Sequence, residues 1–160
     1  YNTQIPADHY VENKQEFRIS SFTIQAIDLP GHTLGHNAYW FAEQKWLFLG
    51  DVLFGLGCGR LFEGSFEQAY ESLQKIKSLP DETQIFCAHE YTEINLQFCK
   101  TLPGYETPDF KDYEQELKSK RSLGTPSVPL TLSVEKKVNP FLLAKNVQEF
   151  TELRKLRNQF

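Results

Sequence analysis

Three side chains at the ends of apolar runs carry the chemistry this sequence can do. His32 stands in PGHTLGH just past the run 24–29, Asp51 closes the run 47–50, and His89 follows the run 85–88. Imidazole and carboxylate are ligands for zinc, iron and manganese, and His, Asp and His meeting at one sheet end would suit such an ion. A carboxylate at the mouth of a buried strand needs compensation in any case. Taking an ion out of water is costly, so Asp51 requires a metal, an arginine or backbone amides. Each histidine taken singly reads more readily as a hydrogen-bonded structural residue than as a ligand. Three strand-end coincidences favour convergence at the sheet edge where α/β folds place ligands.

Around Asp51 runs LFLGDVLFGLGCGRLFEG, residues 47–64, the stretch on which the rest of the chain is organised. Gly55, Gly57, Gly59 and Gly64 mark backbone that turns tightly or approaches a ligand, and Arg60 and Phe62 hang from this rim. Cys58, set between two glycines, is either a small packing residue or a nucleophile. Far along the chain, a helix over residues 146–159 places Phe150, Leu153 and Phe160 on one arc. Arg157 projects into that arc and Arg154 lies at its border. Two arginines on a packed side either pair internally with a glutamate or clamp the carboxylate of a ligand.

The elements that must position these groups follow from the patterning. Residues 17–19 and 22–29 read as strands, and 37–41 with 45–49 as a hairpin rich in aromatic residues. Ser65 and Gln68 form a capping-box signature ahead of Phe66, Ala69, Tyr70, Leu73 and Ile76 at helical spacing. A strand over 84–88 follows, so 45–88 is a βαβ-like crossover with parallel strands, which brings Asp51 and His89 to one end. Beyond His89 only helices are expected, over 92–102, 108–123, 133–138 and 146–159, with TPSVPLTL as a proline-punctuated loop.

A chain of 160 residues suits one domain, or one with a small appendage. A net charge of −4 argues against nucleic acid as the partner, and no apolar stretch reaches the length of a membrane span. The three cysteines form no CxxC pair, which fits free thiols in a reducing compartment, the cytoplasm. The sequence contains no methionine, so Tyr1 is read as following a removed leader or as an internal position of something longer.

GHTLGH, LGDVLFGLGCGRLFEGS, AHEYTEIN, NPFLL and the closing RKLRNQF, in this order, resemble the later part of glyoxalase II, the hydroxyacylglutathione hydrolase of the metallo-β-lactamase superfamily. The resemblance spans residues 22–160. It implies the second half of an αββα sandwich over residues 1–90, followed by an α-helical, glutathione-binding domain over 91–160. By the same resemblance His32 and His89 are ligands of two divalent metal ions, with zinc first and iron or manganese as alternatives, and Asp51 is the carboxylate that bridges them. Arg60, Phe62, Tyr91, Asn95, Arg154 and Arg157 correspond to positions around the glutathione moiety, with Phe62 departing from a Tyr in relatives and Arg157 from a Lys. The family's first metal motif, THxHxDH, is expected upstream of residue 1, since Asp8 and His9 are too isolated to replace it.

The chemistry implied is hydrolysis of S-(2-hydroxyacyl)glutathione, such as S-lactoylglutathione, to glutathione and D-lactate, the second step of methylglyoxal detoxification. Two cations lower the pKa of a bound water toward neutrality and offset the oxyanion, and a thiolate leaves without a strong general acid. A persulfide dioxygenase shares GHT, GD and GCGR but typically reads HDY where this chain has His89, Glu90 and Tyr91. From another class, the 160 residues alone form a half-domain that holds metal weakly, does not turn over, and associates through an uncovered apolar sheet face.

Overall fold

Two aromatic and apolar runs, Tyr39 to Phe41 and Trp46 to Leu49, joined by a turn over 42–45, form the middle of a sheet, and the rest of the chain is laid on it. The computed structural model describes residues 10–160, so the Asp8 and His9 pair lies outside the described residues. Strands β1 (Glu16–Ile19), β2 (Phe22–Asp28), β3 (Asn37–Phe41) and β4 (Trp46–Gly50) form an antiparallel meander. Two short strands, β5 (Leu53–Phe54) and β6 (Gly57–Cys58), pair as a separate hairpin inside the glycine-rich stretch. Helix α1 (Phe66–Lys77) then carries the chain to β7 (Gln84–Cys87), which pairs with β4 in parallel as the crossover pattern requires. The capping box is formed: Ser65 Oγ accepts from the Gln68 amide at 3.2 Å, and Gln68 Oε1 accepts from the Ser65 amide at 2.9 Å.

Past His89 come α2 (Thr92–Cys99), α3 (Pro108–Ser122), β8 (Leu130–Thr131), α4 (Leu132–Val138), α5 (Pro140–Leu143) and α6 (Val147–Gln159). The expectation of helices alone in this region is corrected by β8. It joins the sheet antiparallel to β7, giving the order β1-β2-β3-β4-β7-β8. Its signal is weak because only two residues pair, Leu130 with Ile85 and Thr131 with Gln84, in a stretch that Pro126 and Pro129 mark as loop. The short α5 also escapes periodicity. It starts because Pro140 suits a first helical turn and Asn139 Oδ1 accepts from the Phe141 amide at 3.1 Å.

Strand register assigns the two faces of the sheet. Trp40, Leu47, Ile85 and Leu130 are successive cross-strand partners, all buried in the core that α1 closes with Leu73 and Ile76. Each such side chain contributes about 1.5–3 kcal/mol when fully buried. On the opposite face Tyr39, Phe48 and Phe86 are the cross-strand partners. The Phe48 and Phe86 rings stack at 4.6 Å, yet Phe48 keeps 39% exposure. The uncovered apolar sheet face expected from the sequence is therefore present among the described residues. No helix among them is long and apolar enough to cross a membrane.

A candidate metal and anion site

Strand direction explains why the three chemistry-bearing residues meet. β2 and β4 each run antiparallel to β3, and β4 runs parallel to β7, so the C-terminal ends of β2, β4 and β7 share one edge. His32, Asp51 and His89 follow those ends. Asp51 presents one carboxylate oxygen to each histidine: Oδ2 lies 3.5 Å from His32 Nε2, and Oδ1 lies 3.4 Å from His89 Nε2. Local backbone holds the carboxylate in place. Gly59 returns its amide to the Val52 carbonyl at 3.0 Å, closing the base of the β5–β6 hairpin against Asp51. A Cβ at Gly59 would lie 1.8 Å from the Asp51 carbonyl oxygen, so only glycine permits that closure.

Hydrogen bonding shows what the cluster lacks. His32 Nδ1 lies 2.6 Å from the Arg60 carbonyl, which can only accept, so Nδ1 carries a hydrogen and Nε2 is left as the atom that faces Asp51 Oδ2 and can offer a lone pair. Two acceptors facing each other repel unless a proton or a cation lies between them. Asp51 Oδ1 is buried and has no hydrogen-bond partner, an orphaned carboxylate oxygen of the kind a metal satisfies. The donor set therefore fits divalent ions, with a single carboxylate able to serve one on each oxygen. Among the described residues each ion would still find only one histidine and one Asp51 oxygen, fewer ligands than a closed site needs. His36 does not supplement the set, because its Nε2 donates to the Leu49 carbonyl at 2.9 Å.

Next to the cluster opens a cavity of about 230 Å³ whose walls include Phe54, Arg60, Tyr91, Asn95, Arg154 and Arg157. Five of the six residues expected around a ligand are thus brought together. The sixth, Phe62, is not among the residues lining this cavity. It is 67% exposed and packs edge-on to His32 at 5.0 Å, with the Arg60 guanidinium 5.8 Å over its ring. Tyr91 joins the two parts of the site, stacking on His89 at 5.0 Å and meeting Phe54 at 5.1 Å.

The arginines differ from the helical-wheel expectation. Arg154, placed at the border of the apolar arc, is only 5% exposed, whereas Arg157 is partly buried and Phe160 is exposed. Arg154 lies four residues after the fully buried Phe150 and so shares its face. From there Nη1 donates to the Cys58 carbonyl at 2.7 Å and the guanidinium lies 5.3 Å over the Phe141 ring, while Nε has no partner. Arg157 Nε donates to Asn95 Oδ1 at 3.2 Å. Burial and the neighbouring Arg154 charge push the Arg157 pKa down. Among the described residues neither arginine is paired with a carboxylate, so the internal ion pair considered from the sequence is not formed. Converging unneutralised cations make a site for an anion.

Cys58 forms part of the wall between cluster and cavity. Burial pushes its thiol pKa up despite the nearby Arg154, which opposes a nucleophilic role and favours packing. Phe54 was not foreseen from the sequence. It is buried on a two-residue strand too short to show alternation, and the apolar run Val52 to Phe54 was its only signal.

Known families match the chain in two successive parts. Residues 2–89 match the metallo-beta-lactamase superfamily, and residues 90–160 match the hydroxyacylglutathione hydrolase C-terminus. Curated hydroxyacylglutathione hydrolases of Bdellovibrio bacteriovorus and Methylococcus capsulatus are 54% and 40% identical over 98% and 96% of this chain, which spans 65% of the length of each. Among solved structures, ETHE1 from Myxococcus xanthus shares the fold at a TM-score of 0.65, with 24% identity over 95% of this chain and 53% of that one. TTHA1623, solved in a di-iron-bound form, has a TM-score of 0.55 and 26% identity over 87% of this chain and 50% of its own. With both halves of the sequence matched in order, the chain belongs to the metallo-beta-lactamase superfamily, and its later part is similar to the C-terminus of that superfamily's hydroxyacylglutathione hydrolases.

Proposed function

We propose that this site belongs to a metal-dependent thioester hydrolase that cleaves S-(2-hydroxyacyl)glutathione, S-lactoylglutathione in particular, to glutathione and a 2-hydroxy acid. The observation that carries the reading is the position of Asp51. Its two oxygens are turned to two histidines, directly beside a cavity whose arginines have no carboxylate partner among the described residues. In this reading residues 1–90 carry the metal-binding part and 91–160 most of the glutathione-binding part.

His32, Asp51 and His89 would hold two divalent ions, with Asp51 between them. Bound there, such ions supply an activated water at neutral pH and positive charge for the developing oxyanion. Nitrogen and oxygen donors suit zinc, and the di-iron form of TTHA1623 supports iron as the alternative. The remaining work belongs to the chain's own side chains. Arg154 and Arg157 hold glutathione carboxylate, with Arg60 as a third cation at the mouth. Tyr91 and Phe54 give the peptide an apolar wall that excludes water. Phe62, packed on His32 with the Arg60 guanidinium over its ring, flanks the mouth between the metal ligands and Arg60. The thiolate product leaves without a general acid because thiols ionise near pH 8.5.

Each ion needs more ligands than the described residues provide, and the THxHxDH motif implied by the family resemblance would supply them. We place the protein in the cytoplasm, where its free thiols remain reduced. The test is S-lactoylglutathione hydrolysis by this chain combined with a THxHxDH-bearing segment from a relative. Turnover is expected there, with weak metal binding and no turnover from the 160 residues alone. Two tightly held metals and turnover by the chain alone would contradict the ligand assignment.

A further inference from the structure

The β5–β6 hairpin that follows Asp51 does not end in solvent. Its tip is pushed among the helices, and Leu56, fully buried at φ 58°, occupies the turn. Backbone polar groups at such a place need partners, and the partners come from side chains of the helices and of the cap between α4 and α5. Glu135 Oε2 accepts from the Leu56 amide at 2.9 Å. Asn139 Nδ2 donates to the Phe54 and Gly57 carbonyls at 3.1 and 3.2 Å, and Asn95 Nδ2 donates to the Gly55 carbonyl at 3.0 Å. Glu135 is itself fixed from two sides: Tyr113 Oη donates to Oε1 at 2.9 Å, and Asn139 Nδ2 to Oε2 at 3.0 Å.

The choice of an acid here is informative. Glu135 is 1% exposed and pairs with no cation among the described residues. On α4 it lies between the buried Leu132 and Val138, where an apolar residue would pack without desolvation cost. What the carboxyl provides, and an apolar residue does not, is an acceptor for the Leu56 amide. The hairpin so anchored leads directly to the site. Phe54 walls the cavity, the Cys58 carbonyl takes Arg154, and the hairpin base closes on Asp51. One step further, the Arg60 carbonyl sets the His32 ring.

We propose that Glu135, acting with Asn139, is a positioning residue for this site: it anchors the tip of the β5–β6 hairpin and so sets Asp51, Phe54 and Cys58 against the histidines and arginines. The ligand part of the claim rests on the glutathione reading of the cavity. A network of this kind places the groups that touch ligand, as outer partners do around metal ligands.

The experiment uses the 160-residue chain, glutathione as titrant, and hydrogen exchange at the Leu56 amide. Glu135→Leu removes the acceptor, and Glu135→Gln keeps it, since a carboxamide oxygen accepts from Leu56 while its NH₂ turns to Tyr113 Oη. Expected for Glu135→Leu are a loss of at least about tenfold in glutathione affinity and in Leu56 protection. Glu135→Gln should restore both to within a few-fold. Ile24→Ala, a buried position on β2 away from the hairpin and the helices that hold it, is the control, and should lower Tm without moving either readout. The proposal is overturned if Glu135→Leu binds and protects like wild type, or if Ile24→Ala at an equal loss of Tm weakens binding as much. Should Glu135→Leu not fold, Asn139→Ser decides. It is expected to lose affinity for want of the Phe54 and Gly57 bonds, and unchanged affinity there overturns the claim. If wild type does not bind glutathione the cavity reading fails, and Leu56 protection alone then decides the anchor.

Discussion

Replacing Arg154 by methionine should move stability and binding by very different amounts. The substitution keeps most of the stem that fills space beside Phe141 and removes the charge. Lost from the folded state are the bond to the Cys58 carbonyl and the stacking over Phe141, worth about 1.5–3 kcal/mol for a charge-assisted bond and about 2 kcal/mol for a desolvated cation over a ring. Against this stands the removal of a buried cation with no countercharge among the described residues, which relieves a penalty of comparable size. The difference is about 2 kcal/mol or less, a shift of no more than about 4–8 °C in Tm for a chain of this length. Glutathione binding has no such offset. Losing one charge-assisted bond to a ligand carboxylate weakens Kd by about 10–150-fold. Calorimetric titration and thermal melts on the same samples measure both. A melt that collapses while Kd stays at the wild-type value would refute the reasoning and make Arg154 a purely structural residue.

Burial pushes the Glu135 carboxyl up from its ordinary value, so its folded-state pKa exceeds its unfolded one. The associated stability is fully present below the usual carboxylate range, about pH 4.3, and is lost as pH rises through the raised value. Relative to Glu135→Gln, wild type should therefore lose stability as pH climbs from about 4 toward 7; denaturant titrations of both proteins across that range test it, and a constant or rising difference would contradict it. On the open sheet face, Phe48→Lys should shift the chain toward monomer in light scattering, because a charge there opposes burial of the stack with Phe86. A wild-type chain that is already monodisperse and monomeric would contradict that expectation.

The site's first half was legible because each of its residues ends a strand with a clear apolar pattern, and the βαβ order fixes direction without side-chain detail. Ser65 and Gln68 announced α1 for the same reason: a cap is a local, two-residue signal. The parts that escaped depend on long-range partners. β5, β6 and β8 have two residues each, too few to alternate, and they exist because the hairpin meets helices and β8 finds the edge of β7. Arg154 reads as a border charge on an arc of Phe150, Leu153 and Phe160, but of the three only Phe150 is fully buried and Arg154 shares its face. Glu135 in VEKK looks like one more solvated charge. Only the buried Leu56 amide, 79 residues away in sequence, explains it. Phe62 sits in the same loop as Arg60, yet the chain bends there and the Phe62 amide donates to the His32 carbonyl at 3.0 Å, which sets the ring against His32 rather than in the cavity.

Asp51→Ala tests the central claim most directly, with metal content and S-lactoylglutathione hydrolysis measured together on the chain combined with a THxHxDH-bearing segment from a relative. No other side chain among the described residues faces both His32 and His89 as Asp51 does, with one oxygen toward each ring. The account predicts loss of bound metal together with nearly all turnover. Retention of two metals at a near-wild-type rate would contradict it and remove Asp51 from the centre of the site.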